Sequence, residues 1–200
     1  MALGLGAYLL GSVPTAYIVV RLETGRDIRH LGSGNVGATN AFKQAGARGG
    51  ILVMLADTLK GVLAVLGPIW AGAPHWTMFV TTTLVLAGHN WPVFLNFRGG
   101  KGVAVIFGAS LSLVPWLTLA ALAPAVLVIA RSRNVTIGAT FGMGLLNILI
   151  VVTGQAVDRV ALCLFLTLLV SATYLASIRH QIRSAAKSRR WKDLFPETNI

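Results

Sequence analysis

The chain has 200 residues, 55% of them hydrophobic and 12% charged, with a formal charge of +11 from 17 Lys and Arg against 6 Asp and Glu. Soluble domains carry about 25% charged residues, so this balance, with a mean hydropathy of +0.74, excludes an ordinary water-bathed core and points to lipid. One cysteine, Cys163, excludes an intrachain disulfide framework. A basic excess suits nucleic acid, anionic lipid or an anionic substrate, and the positions of the charges decide among them.

Hydrophobic runs cover residues 2–20, 50–71, 76–87, 103–130, 135–152 and 160–178. A membrane-crossing helix needs about 20 residues, and backbone hydrogen bonding excludes open strands in lipid. The first run has no basic residue ahead of it and no cleavage-site pattern, so it reads as a spanning helix rather than a signal peptide. Cytoplasmic loops collect Lys and Arg. Splitting 103–130 into two short helices near Pro115 sends 15 of the 17 basic residues to one side, with Lys60 and Arg159 as the exceptions. The expectation is an all-α integral membrane protein with about seven transmembrane helices, the N-terminus outside and the C-terminus and glycine-rich loops cytoplasmic. Residues 1–200 form a single domain with a basic tail from about 179. Basic residues scattered over short membrane loops make nucleic acid a poor partner.

Between the first two runs lies "HLGSGNVGATNAFKQAG", residues 30–46. Gly32, Gly34 and Gly37 permit backbone N–H groups to line a concavity suited to phosphate. Ser33, Asn35, Thr39 and Asn40 add short polar groups, and Lys43 and Arg48 supply charge. A flexible linker with helix caps is the plainer alternative, but it does not require two asparagines and a lysine. A second constellation, "GHNWPVFLNFRGGKGVA", spans 88–104. Here Gly99, Gly100 and Gly102 surround Lys101 immediately before an apolar helix, an arrangement suited to an anion. The GxxxxGK[ST] spacing of a nucleotide loop is absent. His89 and Asn90 are candidates to line the pocket, with a structural hydrogen-bonding role as the alternative for His89. Trp91 and Phe94 read as interfacial anchors.

Asp57 and Lys60 stand i,i+3 in an otherwise apolar helix. Charges inside a membrane are costly, usually paired and often functional, so this pair belongs in the protein interior, for packing or for chemistry. "RHQIR" at 179–183 places His180 at the exit of the last run, where it either meets helix-end carbonyls or moves a proton near a phosphate. No metal-ligand spacing and no HxxxxD motif occurs, and no metal or other cofactor is expected.

Together "DIRHLGSGNVGATNAF", "DTLKG" and "GHNWPVFLNFRGGKGVA" resemble the integral-membrane acyl-phosphate:glycerol-3-phosphate acyltransferases of bacteria, over essentially residues 11–180. The resemblance implies transfer of a fatty acyl group from acyl phosphate to the 1-position of glycerol 3-phosphate, giving lysophosphatidic acid for phospholipid biosynthesis. It implies a bacterial cytoplasmic (inner) membrane enzyme whose substrates are those two phosphates and whose surroundings are membrane lipids. By position, Ser33 matches the family's essential serine and His180 its third-motif histidine. Lys43 stands where the family usually has a phosphate-binding arginine, and Gly99–Gly102 with Lys101 match its glycerol 3-phosphate loop. Lys43 keeps the charge but not the two-pronged fork of arginine, and Arg183 stands where the family has asparagine. The expected chemistry is direct attack of the glycerol hydroxyl on the acyl carbonyl, with the departing phosphate or His180 taking the proton. The rival readings are a transporter of a small phosphorylated anion and a catalytically weak relative serving as a membrane scaffold.

Overall fold

The computed structural model describes residues 2–188; the side chains of Ser177 and of residues 180–188 lie outside that description. Among the described residues the regular structure is helical, and six segments are long and apolar enough to cross a membrane, with one shorter apolar helix besides. The contacts divide the chain into two compact units, residues 1–115 and 116–200.

The first unit holds α1 (Ala2–Ser12), α2 (Thr15–Thr24), α3 (Ala38–Trp70), α4 (Thr77–Asn90) and α5 (Val103–Leu113). The sequence predicts one helix over 2–20, and the chain instead breaks at Val13–Pro14 before continuing to Thr24. The cause is local: proline lacks an N–H, and its ring pushes the preceding residue out of helical geometry. Even so, Ala2–Thr24 together form one candidate span. A second difference concerns the start of α3. Residues 38–45 are already helical, and only at Gly46 (φ 73°, ψ −174°) does the helix kink. Thr39, Asn40 and Lys43 therefore sit in the first turns of a helix, and the loop proper is 31–37.

Helices in lipid gain little from hydrophobic burial against each other and associate through close packing at small residues. In α3 and α5 this is carried by Gly61 and Gly108. A Cβ on Gly61 would overlap the carbonyl of Val105, and one on Gly108 the carbonyl of Thr58. The α1–α4 contact repeats the device with Gly11 and Gly88. At the loop end of the unit, Ala16, Val20, Ile28, Leu31, Val36, Ala41, Val53 and Leu95 form one buried apolar cluster. That cluster joins α2, both loops and α3.

The second unit holds α6 (Pro115–Ser132, whose proline closes the first unit), α7 (Val135–Val152) and α8 (Val157–Ser188). The expected break near Pro115 is present: Val114 leaves helical geometry (φ −140°, ψ 66°) between α5 and α6. At 11 residues, α5 is about 16 Å long, too short for a hydrocarbon core of about 30 Å. Asn134 caps α7 by accepting from Thr136 N and Ile137 N, and Asn147 Nδ2 donates to Thr167 Oγ1 of α8 at 3.0 Å.

The glycine crossings yield a test. Gly108→Val should lower the melting temperature of detergent-purified protein sharply, or abolish the folded yield, because the obstruction is backbone rather than a movable side chain. Gly67→Ala, in α3 with nothing within 4 Å of its Cβ position, should melt no lower than the parent, since alanine is the better helix former.

Candidate active site

The first loop leaves α2 at Gly25 and passes through a single 3₁₀ turn, Ile28–His30. Asp27 caps that turn by accepting from Arg29 N at 2.9 Å. Its carboxylate also accepts from the Arg29 guanidinium, at 3.1 Å from Nε and 2.7 Å from Nη2. This hydrogen bonding holds the Asp27 carboxyl down to about 2, below the ordinary carboxylate range. The guanidinium also stands over the Tyr17 ring, 5.6 Å from its centroid, and reaches the Leu95 carbonyl at 3.5 Å. Arg29 thus ties the base of one loop to the base of the other.

Within the loop, Gly32 and Gly34 take left-handed backbone geometry (φ 54° and 69°). Ser33 is exposed, and its hydroxyl accepts from Asn35 N at 3.4 Å. Asn40, 2% exposed, donates through Nδ2 to the carbonyls of Ile28, Leu31 and Asn35 at 3.4, 3.0 and 3.0 Å. It is the post around which the loop is wound. Gly37 precedes α3 without any side-chain cap, so the first N–H groups of that helix have no side chain bonded over them at their open end. Thr39 is half-buried and Lys43 exposed, one and two turns into the helix.

The second loop folds back on α4. Gly99 N donates to Asn90 O at 3.1 Å and Gly100 N to His89 O at 3.0 Å. Gly100 lies so close to the His89 imidazole that a Cβ would overlap Nε2, and the same Cβ would come within 2.7 Å of the Val36 carbonyl in the first loop. The two glycine loops therefore touch. Gly102 (φ 78°) precedes α5, again with no side-chain cap. Lys101 is half-buried between them, and burial pushes its pKa below the ordinary lysine value. His89 and Asn90 are each 8% exposed, and Asn90 Oδ1 has no hydrogen-bond partner.

Beneath both loops lies the polar centre of the unit. Lys60 Nζ donates to Asp57 Oδ1 at 2.8 Å and to the Val13 carbonyl at 2.7 Å. Thr15 Oγ1 donates to the same Asp57 oxygen at 2.6 Å, and His89 Nδ1 stands 3.6 Å from it. A cavity of about 10 Å³, lined by Val13, Thr15, Val36, Lys60, His89 and Gly99 among others, adjoins this group. That is room for about one water.

Of the residues singled out from sequence, the structure brings His89 and Asn90 against Gly99, Gly100 and Gly102, and Gly100 against the first loop at Val36. Ser33, Gly34, Asn35 and Gly37 lie in that first loop, Thr39 and Lys43 in the helix that follows it, and Lys101 in the second loop. Asn40 is placed beneath the first loop, committed to its backbone. His180 lies outside the described side chains. Sequence reasoning passed over Thr15, the Val13 carbonyl and the Asp27–Arg29 clamp. Pro14 inside an apolar run was the available sign of the first two, since a proline there leaves backbone groups to be satisfied. Asp27 two residues before Arg29 was the sign of the third. Among the described residues no three His, Cys, Asp or Glu side chains gather as metal ligands.

The family model described as glycerol-3-phosphate acyltransferase matches residues 1–184. The chain belongs to the glycerol-3-phosphate acyltransferase family. A glycerol-3-phosphate acyltransferase of Clostridioides difficile (strain 630) is 39% identical over 186 residues, covering 90% of this chain and 91% of that protein. One from Syntrophotalea carbinolica is 35% identical over 189 residues, covering 90% and 93%. A crystal structure of PlsY (YgiH), an integral membrane glycerol 3-phosphate acyltransferase in its glycerol 3-phosphate form, superposes with a TM-score of 0.79 at 29% identity, covering 92% of each chain. The same enzyme in its lysophosphatidic acid form superposes at 0.77 and 28%. The helical architecture and the multi-pass membrane character are those of this acyltransferase family.

The contact between the loops predicts the behaviour of one small substitution. Gly100→Ala puts a methyl into His89 Nε2 and against the Val36 carbonyl, so both loops must shift. Acyl transfer should fall at least about tenfold, within the range that misplacement of about 1 Å costs. Gly144→Ala, with open space at its Cβ position, should keep parent turnover in the same detergent assay.

Proposed function

We propose that the acyl donor is acyl phosphate and that its acyl group is delivered to the 1-hydroxyl of glycerol 3-phosphate, giving lysophosphatidic acid and inorganic phosphate. The observation that carries this reading is the contact of two glycine loops, each leading into a helix whose N-terminus has no side-chain cap. A helix N-terminus attracts anions through its open N–H groups and dipole. Two such ends side by side suit a reaction in which both reactants carry a phosphate.

In this reading Ser33, Gly34, Asn35, Gly37 and the first turn of α3, with Thr39 and Lys43, hold the acyl phosphate. Lys101 among Gly99, Gly100 and Gly102 holds glycerol 3-phosphate, with His89 and Asn90 beneath it. A dianionic phosphate favours the charged form of Lys101 that burial disfavours. The glycerol oxygen forms a bond to the acyl carbon as the bond from that carbon to the phosphate oxygen breaks. The hydroxyl proton passes to the departing phosphate or to His180. Acyl phosphate is a mixed anhydride with a good leaving group, and the protein's task is to align the reactants and stabilise the carbonyl oxygen as it gains charge. Ser33 Oγ–H and nearby backbone N–H groups serve the second purpose.

The membrane is the bacterial cytoplasmic membrane and the loops face the cytoplasm, a reading supported by the sorting of basic residues. Residues 21–48 carry five and Arg98 and Lys101 two more, whereas the 72–75 turn between α3 and α4 carries none.

The test is an assay of the purified protein with glycerol 3-phosphate and three donors: acyl phosphate, acyl-CoA and acyl carrier protein thioester. Lysophosphatidic acid should form with acyl phosphate and not with the thioesters. Equal rates with a thioester would overturn the donor assignment. Ser33→Ala should cost about 10²–10³ in turnover, the range for one oxyanion donor. Parent-like turnover would remove Ser33 from the chemistry, and a trapped acyl-Ser33 in the parent would replace direct attack with a covalent route. A cysteine at Gly72 should react with an impermeant reagent from outside the cell, and its labelling only from inside would reverse the orientation.

A further inference from the structure

Asp57 and Lys60 are neighbours on one helix, and a pair confined to one helix holds nothing else in place. Their contacts are wider than that. One carboxylate oxygen, Asp57 Oδ1, accepts from Thr15 of α2 at 2.6 Å and from Lys60 of α3 at 2.8 Å, and faces His89 Nδ1 of α4 at 3.6 Å. Lys60 Nζ goes on to the Val13 carbonyl at the proline break. Asp57 is 1% exposed, Lys60 4% and His89 8%. Buried ion pairs are often replaceable by apolar side chains without loss of stability, so packing alone gives little reason to keep two charges among these helices.

His89 supplies the reason. Its Nδ1 is turned to the carboxylate, which places Nε2 on the far side of the ring, against Gly100. Its own carbonyl accepts from Gly100 N at 3.0 Å. The imidazole is therefore a plate between a buried charge and the second glycine loop. A carboxylate facing one ring nitrogen at 3.6 Å attracts the N–H edge of the imidazole and so orients the ring. An apolar pair in place of Asp57 and Lys60 would fill the volume but leave the plate free to turn, and the Gly99–Gly102 backbone with it.

We infer that Asp57, supported by Lys60 and Thr15, is a positioning residue that sets the Gly99–Lys101 loop through His89, and so sets the affinity for glycerol 3-phosphate. The inference rests on the reading that this loop holds that substrate. It separates the two substrates: the first loop is wound on Asn40, whose amide nitrogen holds the Ile28, Leu31 and Asn35 carbonyls, so acyl phosphate use depends less on Asp57.

The experiment uses the full chain in detergent. Asp57→Asn/Lys60→Met removes both charges and leaves neither stranded. Thermal melting checks folding, calorimetry measures glycerol 3-phosphate binding, and steady-state assays give KM for each substrate. Glycerol 3-phosphate affinity should fall about tenfold or more, the scale on which loss of an orienting partner acts, while KM for acyl phosphate stays within about twofold. Thr15→Val keeps both charges and removes one donor, and should give a smaller loss in the same direction. Parent-like glycerol 3-phosphate affinity in a folded double variant overturns the inference, as does an equal rise in both KM values. If the double variant fails to fold, unchanged affinity in Thr15→Val overturns it. A parent that binds glycerol 3-phosphate but does not accept acyl phosphate defeats the donor assignment and leaves this inference standing. A parent whose glycerol 3-phosphate binding survives Lys101→Ala defeats the loop assignment instead.

Discussion

Lys60 joins two unfavourable features of the chain and makes each answer the other. A proline break in the middle of a membrane helix takes the Val13 carbonyl out of the helical ladder and leaves it the Thr15 N–H at 3.0 Å, and a lysine in an apolar helix brings a charge into a place that disfavours it. The ammonium donates to that carbonyl and to Asp57, and Asp57 in turn collects the Thr15 hydroxyl. Lipid itself offers neither group a hydrogen bond. The bend between α1 and α2, the register of α3 and the seating of α4 at His89 all depend on that single polar knot.

What the knot supports is a stretch of irregular backbone beside a membrane. Such backbone is tolerated where its polar groups are satisfied within the protein or line a cavity. The first loop meets this demand through Asn40, whose one amide nitrogen serves three carbonyls. The second meets it by returning Gly99 and Gly100 onto the last carbonyls of α4, which helix ends leave open. Neither Gly37 nor Gly102 lays a side-chain cap over the first N–H groups of α3 and α5. The glycines are needed less for flexibility than for closeness, since at Gly100 even a methyl would part the loops.

Much of the fold is legible in the hydrophobic runs. Residues 135–152 are helical over the predicted extent, and the division near Pro115 follows from the sorting of basic residues as well as from the proline. Pro14 carried the same information in the first run, but an apolar stretch of spanning length hid it. The start of α3 was misjudged because "TNAFKQAG" carries a glycine and polar residues that read as loop, and Asn40 gives its side chain to the backbone below it rather than to the cavity. The glycine-rich, basic make-up of each loop could be read locally. Their contact through Val36 and Gly100 could not, because more than 60 residues separate them and only the packing of α4 on α1 and α5 on α3 brings them together. Asp57 and Lys60 announced themselves as a pair, whereas their link to His89 is a property of three helices.

The central claim is that the buried knot holds the Gly99–Lys101 loop in place. Hydrogen–deuterium exchange of the backbone reads this directly, because the Gly99 and Gly100 amides are hydrogen-bonded to α4 and exchange only when the loop opens. In folded Asp57→Asn/Lys60→Met protein, the segment 97–102 should exchange faster than in the parent, while α7 exchanges at an unchanged rate. Parent-like protection of 97–102 in that variant would contradict the account.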